Sequence, residues 1–596
     1  MDPVTLAVVR GTFEQIADEM DLHLIHAAIS PIISETNDCA NGVFHAKTGE
    51  TIAQGRYGLP VFLAYMQFAV QSVISVAERQ GGFKPGDVWI MNDPYLGGSH
   101  LQDVQLVAPY FVEGELFALM ATTGHWMDIG GNVPGGWAPK ATEIHQEGIV
   151  IPPVRLIDAG RVNEPLIAMI RANVRLPDQI AGDLAAMSNV FTVGERGLSD
   201  LVRRYGTETV RACVDEMMLR SERQIRSYIA DIPDGTYSCT EFFDNDGITD
   251  EPVPIKLAVT VSGEDMHLDF TGTSPRTRGP LNISRNTTYS TCYVALKHIF
   301  PDVPVNGGTF RPFRFTVPDD SLLAASYPAA VGAYLEPVGR IIDLVFGALA
   351  QAIPDQVPAA FFGTVGVLTI SGTHPRTNAY FVGVFPYPGG YGASRESDGL
   401  VNGNPPQSMA NFMSLELSEH RFPIRFEAFA LREDSGGAGW HRGGCGTTYT
   451  IEALSDCTVS VLGDRTRSSP FGVAGGGPAA PSLVEFTTDG HSWTPEFGGK
   501  QEKQLMREGD RIRVASPGGG GFGDPLARDL DLVEQDLNQG YISRSTAEQQ
   551  FGVVVAEVLE EGGRSRYSLD RAATEERRRT LAHGASRKSG STMEHA

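Results

Sequence analysis

An α+β fold of several domains, mixed α/β with antiparallel β regions and helical segments, is predicted by three features of this 596-residue sequence. Apolar residues recur at three- and four-residue spacing over 3–29 and again over 165–229, the period of amphipathic helices. They alternate with polar residues over 237–275, the period of half-buried antiparallel strands. Residues 358–515 read as mixed to β-rich, interrupted by glycine loops. Patterning divides the chain into 1–235 (an N-terminal domain with the candidate site and a helical segment), 236–355 (mixed α/β), 356–525 (β-rich), 526–575 (a helical extension) and 576–596 (a charged, apolar-poor tail expected to be disordered).

Taken in order, Asp2-Pro3 supplies a cap and a first-turn proline for a helix whose apolar face is Leu6, Val9, Phe13, Ile16, Met20 and Leu24. His23 and His26 fall on or near it and read as solvent-facing or hydrogen-bonded. Residues 34–38 form a polar knot in which Glu35 and Asp38 either reach a site or cap a turn. Lys47-Thr48-Gly49-Glu50 has hairpin chemistry between two short strands. A second helix runs over 63–79, with Met66, Val70, Val73 and Ile74 on one face. A buried strand over 86–91 leads into Asn92-Asp93-Pro94-Tyr95-Leu96-Gly97-Gly98-Ser99-His100-Leu101-Gln102-Asp103. Strands over 104–110 and 116–121 follow, the second ending at Gly124-His125-Trp126-Met127-Asp128-Ile129-Gly130-Gly131. Adjacent strands would therefore bring His100 and Asp103 to the same end as His125 and Asp128. The glycine- and proline-rich stretch 130–139 is long enough for a lid or binding loop. Beyond it, Asn306-Gly307-Gly308 and residues 328–333 are tight loops placed to line a cleft.

Composition bounds the function. A formal net charge of −24 argues against a nucleic-acid surface, and no apolar run reaches the roughly 20 residues of a membrane span. The first residues lack a basic stretch followed by an apolar core, so a cytoplasmic location is the expectation. Six scattered cysteines without CxxC spacing read as reduced and buried.

His100, Asp103 and His125 form the sharpest chemical constellation. Imidazole with carboxylate suits Mn, Fe or Zn in the +2 state, and three protein ligands leave positions open for substrate. Asp128 or Asp93 could be a fourth ligand or fix a histidine tautomer. The spacing equally fits residues that cap strands and satisfy loop backbone. No GxSxG elbow or dinucleotide fingerprint stands at a strand–helix junction. Residues 516–525 (Ser-Pro-Gly-Gly-Gly-Gly-Phe-Gly-Asp-Pro) lack the GK[ST] of a phosphate loop and read better as a close-packed or interface loop.

Several of these motifs, in order, resemble the hydantoinase B/oxoprolinase family: Asp2-Pro3-Val4-Thr5-Leu6, residues 86–103, residues 124–131, Thr142-Glu143-Ile144-His145-Gln146-Glu147-Gly148, Ile232-Pro233-Asp234-Gly235, residues 434–439 and residues 516–525. The resemblance implies a B-type subunit of an ATP-dependent cyclic-amide hydrolase acting on hydantoin, lactam or oxoproline-like rings. Its partner would be a hydantoinase A-type subunit that binds ATP and phosphorylates the substrate, giving a hetero-oligomer. It further implies a divalent transition metal, Mn or Zn, held by His100, Asp103 and His125, with Asp128 or Glu143 nearby as base or orienter. The family also contains acetone and acetophenone carboxylases, so a ketone carboxylase subunit is the alternative, and a non-catalytic structural subunit the second. One departure bears on the substrate: where many members carry Pro-Val-His-Leu-Gly, this chain has Leu59-Pro60-Val61-Phe62-Leu63-Ala64-Tyr65-Met66, so its pocket is expected to differ from that of the hydantoin hydrolases.

Overall fold

In a computed structural model that describes residues 2–408, 410–561 and 564–591, the first helix, α1 (Pro3–Ala27), begins where the sequence places it. Asp2 caps it, accepting a hydrogen bond from the Thr5 amide at 2.8 Å, and all six residues of the expected apolar face are buried. The short α2 (Pro31–Ser34) leads into β1 (Cys39–His45) and β2 (Thr51–Gln54). After α3 (Phe62–Arg79) come β3 (Val88–Met91), β4 (Asp103–Val112), β5 (Glu115–His125), β6 (Val154–Asp158) and β7 (Arg161–Val162). These seven strands form one antiparallel sheet in the order β2-β1-β5-β4-β3-β6-β7. The helical stretch resolves into α4 (Glu164–Asn173), α5 (Pro177–Tyr205) and α6 (Thr207–Ala230). Together with α1 they bury one apolar cluster against the sheet, from Phe13 and Met20 across to Met120 and Met187.

The second sheet, in the order β11-β10-β9-β8, comprises β8 (Gly235–Phe243), β9 (Val253–Ser262), β10 (Asp265–Asp269) and β11 (Phe313–Thr316), with α7 (Arg285–Ile299) and α8 (Gly307–Phe310) inserted before β11. Next is α9 (Leu335–Leu349), buried on nearly every side. A single apolar cluster joins Phe44 and Leu119 of the first sheet, Ile255 and Val259 of the second, and Ile341 and Val345 of α9, so the segments divided at 235 and 355 share a core.

The β-rich segment is a pair of packed sheets. One holds β12 (Val367–Thr373) and β13 (Tyr380–Pro386); the chain then forms α10 (Leu415–Arg421), β14 (Ile424–Leu431), β15 (Thr447–Ala453), β16 (Cys457–Leu462), β17 (Leu483–Thr488), β18 (His491–Trp493), β19 (Lys500–Met506) and β20 (Arg511–Ala515). The strand orders are β13-β12-β16-β19 and β14-β15-β20-β17-β18, with Ile370, Val459, Tyr449 and Val514 in the apolar layer they enclose.

Residues 516–523 are close-packed, not a phosphate cradle. Gly519 donates to the Gly444 carbonyl (2.9 Å), Gly520 to Ala360 (2.8 Å) and Gly521 to Gly477 (3.0 Å), while Gly437 donates back to Gly519 (2.9 Å). A Cβ on Gly443 would stand 1.8 Å from the Gly519 oxygen, so the segments approach to a distance only glycine permits.

The C-terminal part has α11 (Leu530–Gln539), α12 (Arg544–Gln550), the hairpin of β21 (Val555–Glu561) and β22 (Arg564–Leu569), and α13 (Arg571–Ser591). The tail expected to be disordered over 576–596 is instead helical as far as Ser591, and 592–596 lie outside the described residues. Arg578 fastens this helix to the body, donating to the carbonyls of Phe551 (2.9 Å) and Arg528 (2.7 Å). No described helix is long and apolar enough to cross a membrane. The six cysteines are free, five of them buried and Cys239 half-buried.

Candidate metal centre

The antiparallel register of β4 and β5 sets Asp103 directly opposite His125. His100 is brought to them by the turn that precedes β4, in which Val104 and Trp126 both donate to the Gln102 carbonyl (3.0 and 2.9 Å). Asn92 holds that turn from behind: its amide donates to Leu101 and Ile149 (2.8 and 3.0 Å) and accepts from the Ile151 amide (2.6 Å). Gly97 sits at φ 131°, and a Cβ there would lie 2.5 Å from the Ala69 nitrogen on α3, so the turn packs flat on that helix.

The candidate ligand atoms of His100, Asp103 and His125 lie within 4.8 Å of one another. His100 Nε2 is 3.2 Å from Asp103 Oδ1, and both side chains are fully buried. All four imidazole nitrogens and Asp103 Oδ1 lack a hydrogen-bond partner, the 3.2 Å contact being poorly aligned. Buried polar atoms left this way are costly unless something binds them, which is the expected signature of a metal site. The other carboxylate oxygen is occupied: Asp103 Oδ2 accepts from Ser99 Oγ and from Tyr334 Oη (3.2 Å), so Oδ1 is presented to the cluster. The Trp137 ring stacks on His125 at 6.0 Å and 12°, and the Tyr334 ring lies 4.4 Å from His100.

Protonation suits the same role. Burial drives the His125 pKa down to about 3, so its imidazole is neutral and a nitrogen lone pair is free. Burial would raise Asp103, but the adjacent His100 outweighs it and holds the carboxyl below its ordinary value. The Tyr334 phenol is pushed far up, by burial and then by the Asp103 charge, and stays a donor.

Beside the cluster is a cavity of about 60 Å³ that His125, Trp137, Tyr334 and Asp38 help to line. One water needs roughly 10–15 Å³ on this measure, so several waters or one small ring can enter. Of the two residues in the 34–38 knot, Asp38 reaches this cavity. Its backbone carbonyl accepts the His125 amide at 3.1 Å, and burial, followed by the charge of Asp103, raises its carboxyl well above the usual range. Glu35 is exposed and pairs with Arg421 at 3.8 Å.

The other candidates are placed elsewhere. Asp93 caps the short turn at Pro94–Leu96 through the Tyr95 amide (2.9 Å). Asp128 is buried but turned to Arg175, taking its amide (2.7 Å) and guanidinium (2.9 Å) as well as the amides of Gly130 and Gly135. It fastens the 130–139 loop, which is packed down and delivers Trp137 to the histidines. Glu143 is exposed and outside the cavity lining. His23 is half-buried and His26 exposed, as expected. Residues 328–333 turn inward on Glu147, whose carboxylate accepts from Val331 (3.0 Å) and Gly332 (2.6 Å), and this positions Tyr334. Tyr334 and Trp137 carry no local signal that could have marked them. Ser99, four residues before Asp103, was within reach of sequence reasoning.

Residues 2–525 match the family model described as Hydantoinase B/oxoprolinase. The chain belongs to that family. It is 33% identical to the beta subunit of caprolactamase from Pseudomonas jessenii, over 93% of this chain and 96% of that one. It is 28% identical to the putative B-type subunit of a D-/L-hydantoinase from Pseudomonas sp. (strain NS671), over 94% and 96%. Among solved structures it is similar to the ATP-dependent caprolactamase of P. jessenii, with TM-score 0.87 and 32% identity over 97% of this chain and 99% of that one. It shares its fold with acetone carboxylase, at TM-score 0.90 and 19% identity over 98% and 84%. This hydantoinase B-type chain is thus homologous to enzymes of cyclic-amide chemistry and has the mixed α+β architecture of caprolactamase.

Proposed function

We propose that this chain is the B-type subunit of an ATP-dependent cyclic-amide hydrolase and works with an A-type subunit that binds ATP and activates the substrate by phosphorylation. The observation that carries the reading is the buried His100–Asp103–His125 set, whose imidazole nitrogens and Asp103 Oδ1 have no hydrogen-bond partner, beside a cavity that His125 helps to line. These three residues would hold a divalent ion, Mn or Zn by donor type, which when bound supplies Lewis-acid polarisation. The chain's own groups do the rest. Ser99 and Tyr334 orient Asp103 by holding Oδ2, Trp137 fixes the His125 ring, and Asp38 is the acidic group placed to exchange a proton with a molecule in the cavity. Glu143 and Asp128 are not needed as bases in this arrangement; Asp128 serves by anchoring the loop that carries Trp137.

The complex, co-purified with its A-type partner, is expected to open a lactam or hydantoin with consumption of ATP, while this chain alone turns over no ATP. His125→Ala is expected to lose bound metal and ring-opening activity while its circular dichroism is unchanged. Incorporation of labelled bicarbonate into a ketone, with no ring opened, would establish the carboxylase alternative instead.

A further inference from the structure

The cavity beside His125 constrains the substrate more closely than the three ligands do. Its wall is largely aliphatic or thioether, with Leu59, Val61, Val365 and Met413 contributed from distant parts of the chain. The polar groups that face it, such as Thr36 and Asn404, are uncharged or, at Asp38, acidic. Among the described residues lining it there is no lysine or arginine. The basic side chains packed behind this wall are already committed. Arg340 pairs with Asp464 at 2.8 Å, Arg465 with Asp343 at 2.7 Å and Glu241 at 2.9 Å, and Lys500 with Asp464 at 3.3 Å. Glu336, which binds the Val365 amide at 3.2 Å, adds a further acid to that side.

Building on the hydrolase reading above, we propose that the site takes a small cyclic amide whose body is hydrocarbon and which carries no anionic substituent. The ring would seat on the aliphatic wall, where apolar area leaves water, with its amide toward His125 and Asp38. A carboxylate on the body of the ring would face the aliphatic wall, where no lysine or arginine lines the cavity to pair it, so it would lose its hydration without compensation. The departure at residues 59–66 contributes directly: Leu59 and Val61 are wall residues, and Phe62 and Tyr65 are fully buried behind them in edge-to-face contact at 5.4 Å.

A matched pair tests this. 2-Pyrrolidinone and 5-oxoproline are the same five-membered lactam and differ by one carboxylate. With the complex and ATP, kcat/KM for ring opening is expected to favour 2-pyrrolidinone by at least roughly 100-fold, the scale set by an unpaired buried charge. Calorimetry on the full chain alone is expected to detect 2-pyrrolidinone and not 5-oxoproline, which reads the cavity without the reaction. Val384→Arg places a guanidinium at the half-buried rim of the wall and is expected to narrow the preference by about tenfold. Ring opening with 5-oxoproline equal or preferred would overturn this assignment alone. Ketone carboxylation with no lactam opened would overturn the hydrolase reading on which it rests.

Discussion

Asp103 divides its two oxygens between two tasks, and the division makes the site. Oδ2 is held by Ser99 and Tyr334, which leaves Oδ1 facing two histidines that have no other partner. Hydrogen bonds to a metal-binding carboxylate are typically worth about 10- to 100-fold in metal affinity. Ser99→Ala and Tyr334→Phe are each expected to weaken metal binding by roughly that factor, measured by chelator competition, with secondary structure intact. Glu147 gives a second prediction at this scale. Burial raises its pKa to about 8 from the ordinary 4.5, against the two amides that favour its charged form. The folded chain therefore keeps a proton that the unfolded chain releases, and stability falls as pH rises from about 4.5 to 8. Glu147→Gln cannot ionise. Whatever offset its amide introduces, the stability difference between variant and wild type is expected to shift in the variant's favour by a few kcal/mol, roughly 1.4 per pKa unit, across that window in urea titrations. That His100, Asp103 and His125 come together was legible in the sequence because a hairpin register joins them locally. Asp128 lies three residues after His125 in the sequence, but its carboxylate is held by Arg175, a partner 47 residues on, which the sequence pattern does not reveal.

Among the elements, α1 and the helices of 164–230 were legible through periodicity, since each buries one face. Glycine segments were legible as loops but not as a packed unit. Their order comes from backbone hydrogen bonds between residues far apart, such as Gly444 with Gly519 and Gly477 with Gly521, and no side-chain pattern encodes such pairing. The consequence is steric. Gly443→Ala would set a methyl group 1.8 Å from a carbonyl oxygen, and Gly520→Ala another 1.9 Å from the Phe471 oxygen, so backbone must move in either variant. Each is expected to cost about 3 kcal/mol or more, at the upper end of overpacking, seen as a lower thermal midpoint. Gly490→Ala is the control: no atom lies within 4 Å of its added methyl, so only the strain of a positive φ (79°) remains. The tail is the other element that sequence patterning misplaced. Its side chains are nearly all polar, yet Arg578 anchors it through main-chain acceptors that hydropathy does not register.

Across the whole molecule, the candidate metal centre lies in the first sheet while part of the wall of the cavity beside it comes from the β-rich segment, so the proposed function depends on how the two are joined. A buried charge network ties the β-rich segment to α9, the helix that follows Tyr334, and to β8. Arg340 on α9 meets Asp464, which follows β16; Lys500 on β19 meets the same carboxylate; and Arg465 reaches Asp343 on α9 and Glu241 on β8. Tyr334 stands immediately before α9, and Glu336 in its first turn accepts from the Thr364 hydroxyl (2.9 Å) and from the amide of Val365 (3.2 Å), a wall residue. A buried ion pair is a poor net source of stability compared with apolar packing, but removing one member strands the other, at about 3–5 kcal/mol. Arg340→Met leaves Asp464 its second cation, Lys500, so it is expected to cost less than that, about 2 kcal/mol in urea unfolding, and to loosen the cavity, reducing 2-pyrrolidinone affinity although Arg340 does not line it. Arg467→Met, which removes an exposed pair with Asp250, is expected to cost under about 1 kcal/mol and leave affinity unchanged. Equal losses in the two variants would show that apolar packing alone aligns wall and metal centre. A large loss confined to Arg340→Met would show that the network keeps the wall in register with His125.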